Sequence, residues 1–327
     1  MDTPAKSKNA VFHQIPVQRI ISMDLQQTNT HYDLSIIVIF YNMRREAGRT
    51  LRSLTQAYQQ NADKLSYEVI AIDNGSTQPL DQAWVESLGK NFRYVYFDAH
   101  TPSPCQALNY GEKIAAGRLI SMCIDGARIF SPGILYYSTH AARIYDNPFI
   151  YTLGMHIGHK PQPSLAEENY SRADEDALMA TVDWEQNGYS LFDISSLALS
   201  SGQGYFSNLA ESNCITMLRS TYRKMGGFDE RFQSAGGGLT NLDFFNRANM
   251  ISDINPIMLL GEATFHQFHG GTATNVPPKD HPWAKMAEEY HNIHGKPYKP
   301  SSRTPTYFGD IHPKCYRLLN FPAQGAE

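Results

Sequence analysis

Residues 34–41 read Leu-Ser-Ile-Ile-Val-Ile-Phe-Tyr, a nearly unbroken apolar run. A strand with one wet face alternates apolar and polar residues. A run like this one belongs to a strand buried on both faces, as in a parallel sheet covered by helices. The flanking sequence fits that arrangement. In residues 44–58, Ala47, Leu51, Leu54 and Tyr58 recur at helical spacing and predict a helix. Tyr67–Ile72 predicts a second strand, Leu80, Trp84 and Leu88 a helix ending near Gly89, and Arg93–Phe97 a third strand. Ser103 and Pro104 read as the cap and first residue of another helix, with Gly117 at its end. Arg118–Ile124 predicts a fourth strand, and Ser131-Pro132 opens a helix that stops before Pro148. Strand and helix in alternation mean an α/β, Rossmann-like, mainly parallel sheet flanked by helices.

Beyond residue 149 the pattern loosens, with Ser, Gly and aromatics concentrated in 189–206. Cys214–Leu218 and Ile257–Leu260 predict further strands in a sheet that has become mixed. From Pro277 onward prolines are dense, which predicts an extended tail with a short helix near Ala284–His291. The expected organisation is a polar tail over 1–30, one domain over 31–275 and a proline-rich extension over 276–327.

The 327 residues are 42% hydrophobic and 18% charged, the balance of a globular protein, and the net charge of -4 argues against a nucleic-acid partner. No apolar run approaches the roughly 20 residues of a membrane span. The N-terminal sequence has no signal-peptide core, so a cytoplasmic protein is expected. Cys105, Cys123, Cys214 and Cys315 form no CxxC pair. The first strand is followed by neither GxGxxG nor a Walker motif, which disfavours a dinucleotide-binding dehydrogenase and a P-loop enzyme.

In open α/β sheets ligands bind beyond the carboxyl ends of the strands. Asp73 and Asp125 stand at two such ends. Asp73-Asn74-Gly75-Ser76 reads either as a plain turn or as a loop offering a carboxylate to a base or ribose. Asp125-Gly126-Ala127-Arg128 reads either as a salt-bridged loop or as a holder of a ribose or of a diphosphate-bound metal. Asp243 and Arg247, four apart, fit a helix ion pair. Gly236-Gly237-Gly238 fits a mobile lid. His266 and His269 form H-x-x-H. On a continuous strand two rings three apart face opposite sides, so one is expected at a site and the other in the core.

Together these segments resemble the family-2 glycosyltransferases of GT-A fold. The likeness rests on SIIVIFYN with the helix ending TLRSL, on EVIAIDNGS, on ALNYGEKIAAGRLISMCIDGARIFSPG, and on MGGFDERF followed by LDFFNRA; it spans residues 34–272. It implies inverting transfer from a nucleotide diphosphate sugar, a uridine one in the leading reading, to a saccharide or other hydroxyl acceptor. The implied nucleotide site comprises Tyr41, Asn42, Asp73, Asn74, Asp125 and Arg128. A divalent cation, Mn or Mg, falls to Asp125 and His269, unless Arg128 neutralises the diphosphate without metal. The chain departs from the family pattern twice. Ala127 and Arg128 replace acids of the acidic motif, and Thr240-Asn241 replaces the Glu-Asp that carries the base. Asp243, beside Asn241, is the expected catalytic substitute, with Glu211 next. The other implied reading is an inactive module that keeps the sugar-nucleotide cleft.

Overall fold

The computed structural model describes residues 32–99, 101–301 and 303–319, so the expected 1–30 tail lies outside the described residues. The sheet begins with β1 (Leu34–Phe40), whose seven residues are all buried. The reason is visible in the packing. Ile36, Val38 and Phe40 meet Ala47 and Leu51 of α1 (Arg44–Arg52) on one face. Ile37 and Ile39 point to the other face and its separate cluster. β2 (Tyr67–Asn74), α2 (Gln82–Ser87), β3 (Phe92–Phe97), α3 (Cys105–Ile114) and β4 (Leu119–Cys123) follow. They give four parallel strands in the order β3-β2-β1-β4. α1 and α2 contribute Leu51 and Val85 to one core, and α3 contributes Leu108 to the other.

Several local expectations shift. The first helix stops at Arg52, although Leu54 and Tyr58 are still buried. In α2 the buried residue is Val85, whereas Trp84 is 36% exposed. Gly117 does not cap α3, whose C-cap is Ala115. A side chain at Gly117 would lie 2.5 Å from the Ser35 backbone nitrogen, so glycine there permits close approach to β1.

The second half completes the sheet. β5 (Arg128–Phe130), α4 (Ile134–Ile144), β6 (Pro148–Ile157), α5 (Gln162–Glu167), α6 (Arg172–Met179) and β7 (Ser195–Leu197) precede β8 (Cys214–Leu218). After them come α7 (Arg219–Met225), α8 (Thr240–Asn249), β9 (Asn255–His266), α9 (Trp283–His294) and β10 (Thr306–Gly309). β8 runs antiparallel to both β4 and β6, β9 is parallel to β6, and β10 closes the order at the edge of β9. The proline-rich segment is thus more than an extended tail. It supplies an edge strand, and Met286, Tyr290, Cys315 and Leu318 to the core.

Candidate active site

Two strand ends at the same edge carry the acids singled out above. β2 and β4 flank β1, so with neighbouring strands about 4.8 Å apart their ends lie roughly 10 Å from each other. The loops differ. Asp73 is fully buried, and its two oxygens accept Ser76 N–H and Leu80 N–H, each at 2.9 Å. It shapes the β2–α2 loop. Asn42 has a left-handed φ of 53° and ties the adjacent loop to this one. Its backbone N–H donates to Ser76 Oγ at 2.7 Å, and its Oδ1 accepts from Gln78 N–H at 3.1 Å. Asn74 donates to the Ser103 carbonyl while its Oδ1 has no partner among the described residues. Tyr41 stands 52% exposed at the end of β1.

Asp125 is different. Oδ1 accepts the Ala127 N–H at 3.0 Å, which turns the chain back into β5. Gly126 is required there because a Cβ would lie 2.3 Å from Phe40 and 2.6 Å from the Ile39 carbonyl. Its own carbonyl accepts Thr50 Oγ at 2.7 Å. The close approach that glycine allows is therefore to β1. The other carboxylate oxygen, Oδ2, faces His266 Nε2 at 2.7 Å and His269 Nε2 at 3.8 Å, and the two ring nitrogens are 3.2 Å apart. One ligand atom from each of the three residues lies within 4.8 Å of the others.

The expectation that His266 and His269 face opposite ways is corrected. β9 ends at His266, so strand alternation does not extend to His269, and both rings turn to Asp125. The loop carrying His269 is held on several sides. Asn275 Oδ1 accepts the N–H groups of His269, Gly270 and Gly271 at 3.1, 2.9 and 2.9 Å. Arg172 donates to the His269 carbonyl at 2.6 Å. Glu175 accepts the Phe268 N–H at 2.5 Å and pairs with Arg45 of α1 at 3.1 Å.

The sheet register explains the surroundings. Arg128 of β5 and His156 of β6 are the cross-strand partners of His266 on either side. Arg128 is only 4% exposed, its Nε and Nη1 have no hydrogen-bond partner among the described residues, and Nε is 3.9 Å from Asp125 Oδ2. Burial opposes charge on Asp125, but the positive field of His266, His269 and Arg128 outweighs it and holds the carboxyl well below its usual range. Burial pushes His266 down to about 4, with Arg128 adding to the effect against Asp125. A carboxylate and two imidazole nitrogens around one point form a donor set suited to a divalent cation of borderline hardness, such as manganese or zinc. His156, Gln162 and Asn275, which complete this environment, carry no local sequence signal.

On the opposite flank, β8 is paired with β4 so that Cys214 faces Cys123. Antiparallel pairing thus brings Glu211, three residues before Cys214, to the edge that Asp125 occupies. Glu211 is half-buried, and Asn241 Nδ2 donates to its Oε2 at 2.9 Å. Asp243 is 2% exposed. Its Oδ2 accepts from Arg247 at 2.7 Å and its Oδ1 is 3.1 Å from His294 Nε2. Arg247 continues to the carbonyls of Met225 and Gly227, so this pair ties α8 to the turn after α7. Gly236, Gly237 and Gly238 all have positive φ, which explains three successive glycines by backbone conformation.

Comparison with known proteins adds an independent observation. Residues 35–168 match the sequence family described as Glycosyl transferase family 2. No curated protein matches the chain significantly. Among solved structures, residues 1–349 of S. aureus TarS in complex with UDP align at TM-score 0.47 and 15% identity, over 80% of this chain and 66% of that one. The same TarS fragment in complex with UDP-GlcNAc aligns at TM-score 0.45 and 15% identity, over 80% of this chain and 67% of that one. A longer S. aureus TarS structure aligns at 0.46 and 15% identity, over 80% of this chain, which spans 40% of its length. Among the described residues no helix is long and apolar enough to cross a membrane. The matched segment runs from β1 through α5; Asp125, His156 and Gln162 fall inside it and His266 and His269 beyond it.

Proposed function

We propose that this chain is an inverting glycosyltransferase that moves a sugar from a nucleotide diphosphate sugar, of the uridine type, to an acceptor hydroxyl. The observation that carries this reading is the convergence of Asp125, His266 and His269 at the carboxyl edge of the parallel strands. That is the edge at which open α/β sheets bind nucleotides. A divalent cation held by these three residues supplies positive charge against the departing diphosphate. Tyr41 offers an exposed ring face to the base, and Asn74 Oδ1 an acceptor for a base N–H. Asn42 and Asp73 hold the two loops in place.

In the transfer, the acceptor oxygen bonds to the anomeric carbon as the bond to the diphosphate oxygen breaks. The electron pair leaves with the diphosphate, and the hydroxyl proton passes to a carboxylate. The geometry favours Glu211 over Asp243 as that base. Glu211 lies just before β8, at the edge that Asp125 occupies, and accepts from Asn241, while the oxygens of Asp243 face the Arg247 guanidinium and the His294 imidazole. Four buried free cysteines favour a reducing compartment, in line with a cytoplasmic enzyme.

A second reading, an inactive sugar-nucleotide-binding module, is favoured by one observation: an amide, Asn241, stands where the family motif places its acid. Release of UDP from a panel of UDP-sugars in the presence of manganese, with the anomeric configuration of any product read by NMR, separates the two. Turnover above the buffer rate with inverted product supports the enzyme. UDP binding without turnover supports the module, and a retained configuration contradicts the single displacement.

A further inference from the structure

The C-terminal segment grips one stretch of the chain at successive points. Glu289 of α9 accepts the Gln233 N–H at 2.7 Å and the Ser234 N–H at 2.9 Å, both on Oε1. Hydrogen bonds to an ionised carboxylate are the strong ones, and here two of them fix adjacent backbone groups. Just before them, Arg231 donates to the Ile293 carbonyl at 3.2 Å. The buried Phe232 ring packs on Tyr290 and His294, with centroids 6.1 and 6.0 Å away. The residues that follow, Gly236-Gly237-Gly238, have no side chains with which to hold themselves. At Gly238 a Cβ would lie 2.7 Å from Glu289 Oε2, so glycine there admits the carboxylate. The gripped stretch bridges the two halves of the candidate site. At Gly236 it meets the His269 loop, where a Cβ would lie 3.4 Å from Thr272 Oγ1. At its far end it enters α8, where Asn241 donates to Glu211 at 2.9 Å.

Resting on the transferase reading above, we infer that Glu289 is a positioning residue: it fixes the 233–241 bridge, keeps Asn241 on Glu211 and so sets the base against the candidate cation site. Glu289 lies beyond the matched residues 35–168, so this device belongs to the chain's own C-terminal segment. An N–H donated to a carboxylate favours its charged form. Loosening the bridge therefore takes a donor from Glu211 and raises its pKa. The phenol of Tyr298, raised by burial and then by the charges of Glu211 and Asp243, is untouched by the variants below. A shift at Glu211 thus reports Asn241.

The test uses the full chain with 13C-labelled glutamate carboxyls, and Glu211 is assigned by the signal lost in Glu211→Gln. Glu289→Ala removes the acceptor. Glu289→Gln removes the same charge but keeps an oxygen for both N–H groups. In Glu289→Ala the amides over 233–241 should exchange with deuterium more than about tenfold faster, as expected when a hydrogen bond to a charged group is lost. Glu211 should titrate at higher pH, the opposite of what removing a nearby negative charge does. The transfer rate kcat should fall about tenfold or more, a part of what a general base contributes, while UDP affinity holds. Glu289→Gln should resemble the unaltered chain in all three readouts. Ser234→Pro attacks the same contact from the other side. Its φ of −57° suits proline, and the N–H to Glu289 is deleted, so it serves where Glu289→Ala does not fold. Slow exchange retained in whichever of these two variants folds overturns the clamp. Faster exchange with an unchanged Glu211 titration overturns its hold on the base. If the unaltered chain transfers no sugar, the transferase reading falls and the base role with it, while exchange and titration still decide whether Glu289 keeps Asn241 on Glu211.

Discussion

Asp73 and Asp125 look alike in sequence. Each follows a buried parallel strand at the same sheet edge, and each opens a glycine-containing turn. In the fold they do opposite things. Asp73 is sealed, with an N–H on either oxygen. Asp125 uses one oxygen to turn the chain and leaves the other facing two imidazole nitrogens. An acid at a strand end thus marks a place where a ligand can bind without telling whether the carboxylate meets the ligand or builds its loop. The partners decide, and here they come from β9 and the loop after it, about 140 residues downstream of Asp125.

The comparison can be broken most forcefully by exchanging charge for amide at each position. Asp125→Asn should lower transfer about a thousandfold or more, because several kcal/mol of leaving-group stabilisation depend on the cation it helps hold. Its stability should fall as well, because the buried Arg128 loses its nearest carboxylate, so metal affinity is the readout that separates the two sites. Asp73→Asn should differ there. It should cost about 1–3 kcal/mol in urea unfolding, since one backbone N–H would face an amide NH2, and leave manganese affinity close to that of the unaltered chain. Equal effects of the two substitutions on metal affinity would erase the distinction.

A second contrast of the same kind separates Glu211 from Asp243. Glu211→Gln should reduce the transfer rate about a hundredfold or more while UDP affinity is retained, the signature of a lost general base. Asp243→Asn should instead weaken the fold, because Arg247 would lose its buried partner. If Asp243→Asn abolishes turnover in a fully folded protein and Glu211→Gln does not, the roles are reversed.

The smallest effect concerns a third buried carboxyl. Glu262 of β9 accepts from Tyr189 Oη at 2.7 Å and Gly133 N–H at 3.0 Å, and also from Ser131 Oγ. Burial nevertheless raises it from 4.5 to about 7, against those hydrogen bonds. A carboxyl raised in the folded state binds its proton more tightly there than in the unfolded chain. Its contribution is therefore complete below pH 4.5 and is lost as pH rises towards 7. His266, lowered by burial to about 4, tilts stability the other way over an overlapping range. The readout is accordingly the difference between the unaltered chain and Glu262→Gln, which should fall by at most about 1.4 kcal/mol per pH unit. A difference that is flat with pH contradicts a buried, proton-retaining Glu262.

Much of the fold was legible because its signal is local. The 34–41 run could only be a strand covered on both sides, and the next three strands repeat the logic at regular spacing. The place of Asp125 just beyond a strand end was legible for the same reason. His266 was misread because period-two alternation was carried past the point where the strand ends; Gly270-Gly271, just beyond His269, was the cue that β-structure does not continue. Gln162 and Asn275 had no cue at all, since their meaning lies in hydrogen bonds across more than 100 residues of sequence. The base position was obscured differently: an amide at Asn241 orients Glu211, 30 residues earlier in the chain, a relation visible only through the β4–β8 register.

The central claim is that Asp125, His266 and His269 hold a divalent cation against the donor diphosphate. The direct measurement is a calorimetric titration of UDP into the full chain with manganese, with magnesium and with chelator, repeated on His269→Ala and Arg128→Ala. UDP binding that requires manganese and is lost in His269→Ala is the predicted result. Binding that ignores chelator and collapses in Arg128→Ala would contradict it and give the diphosphate to the buried guanidinium instead.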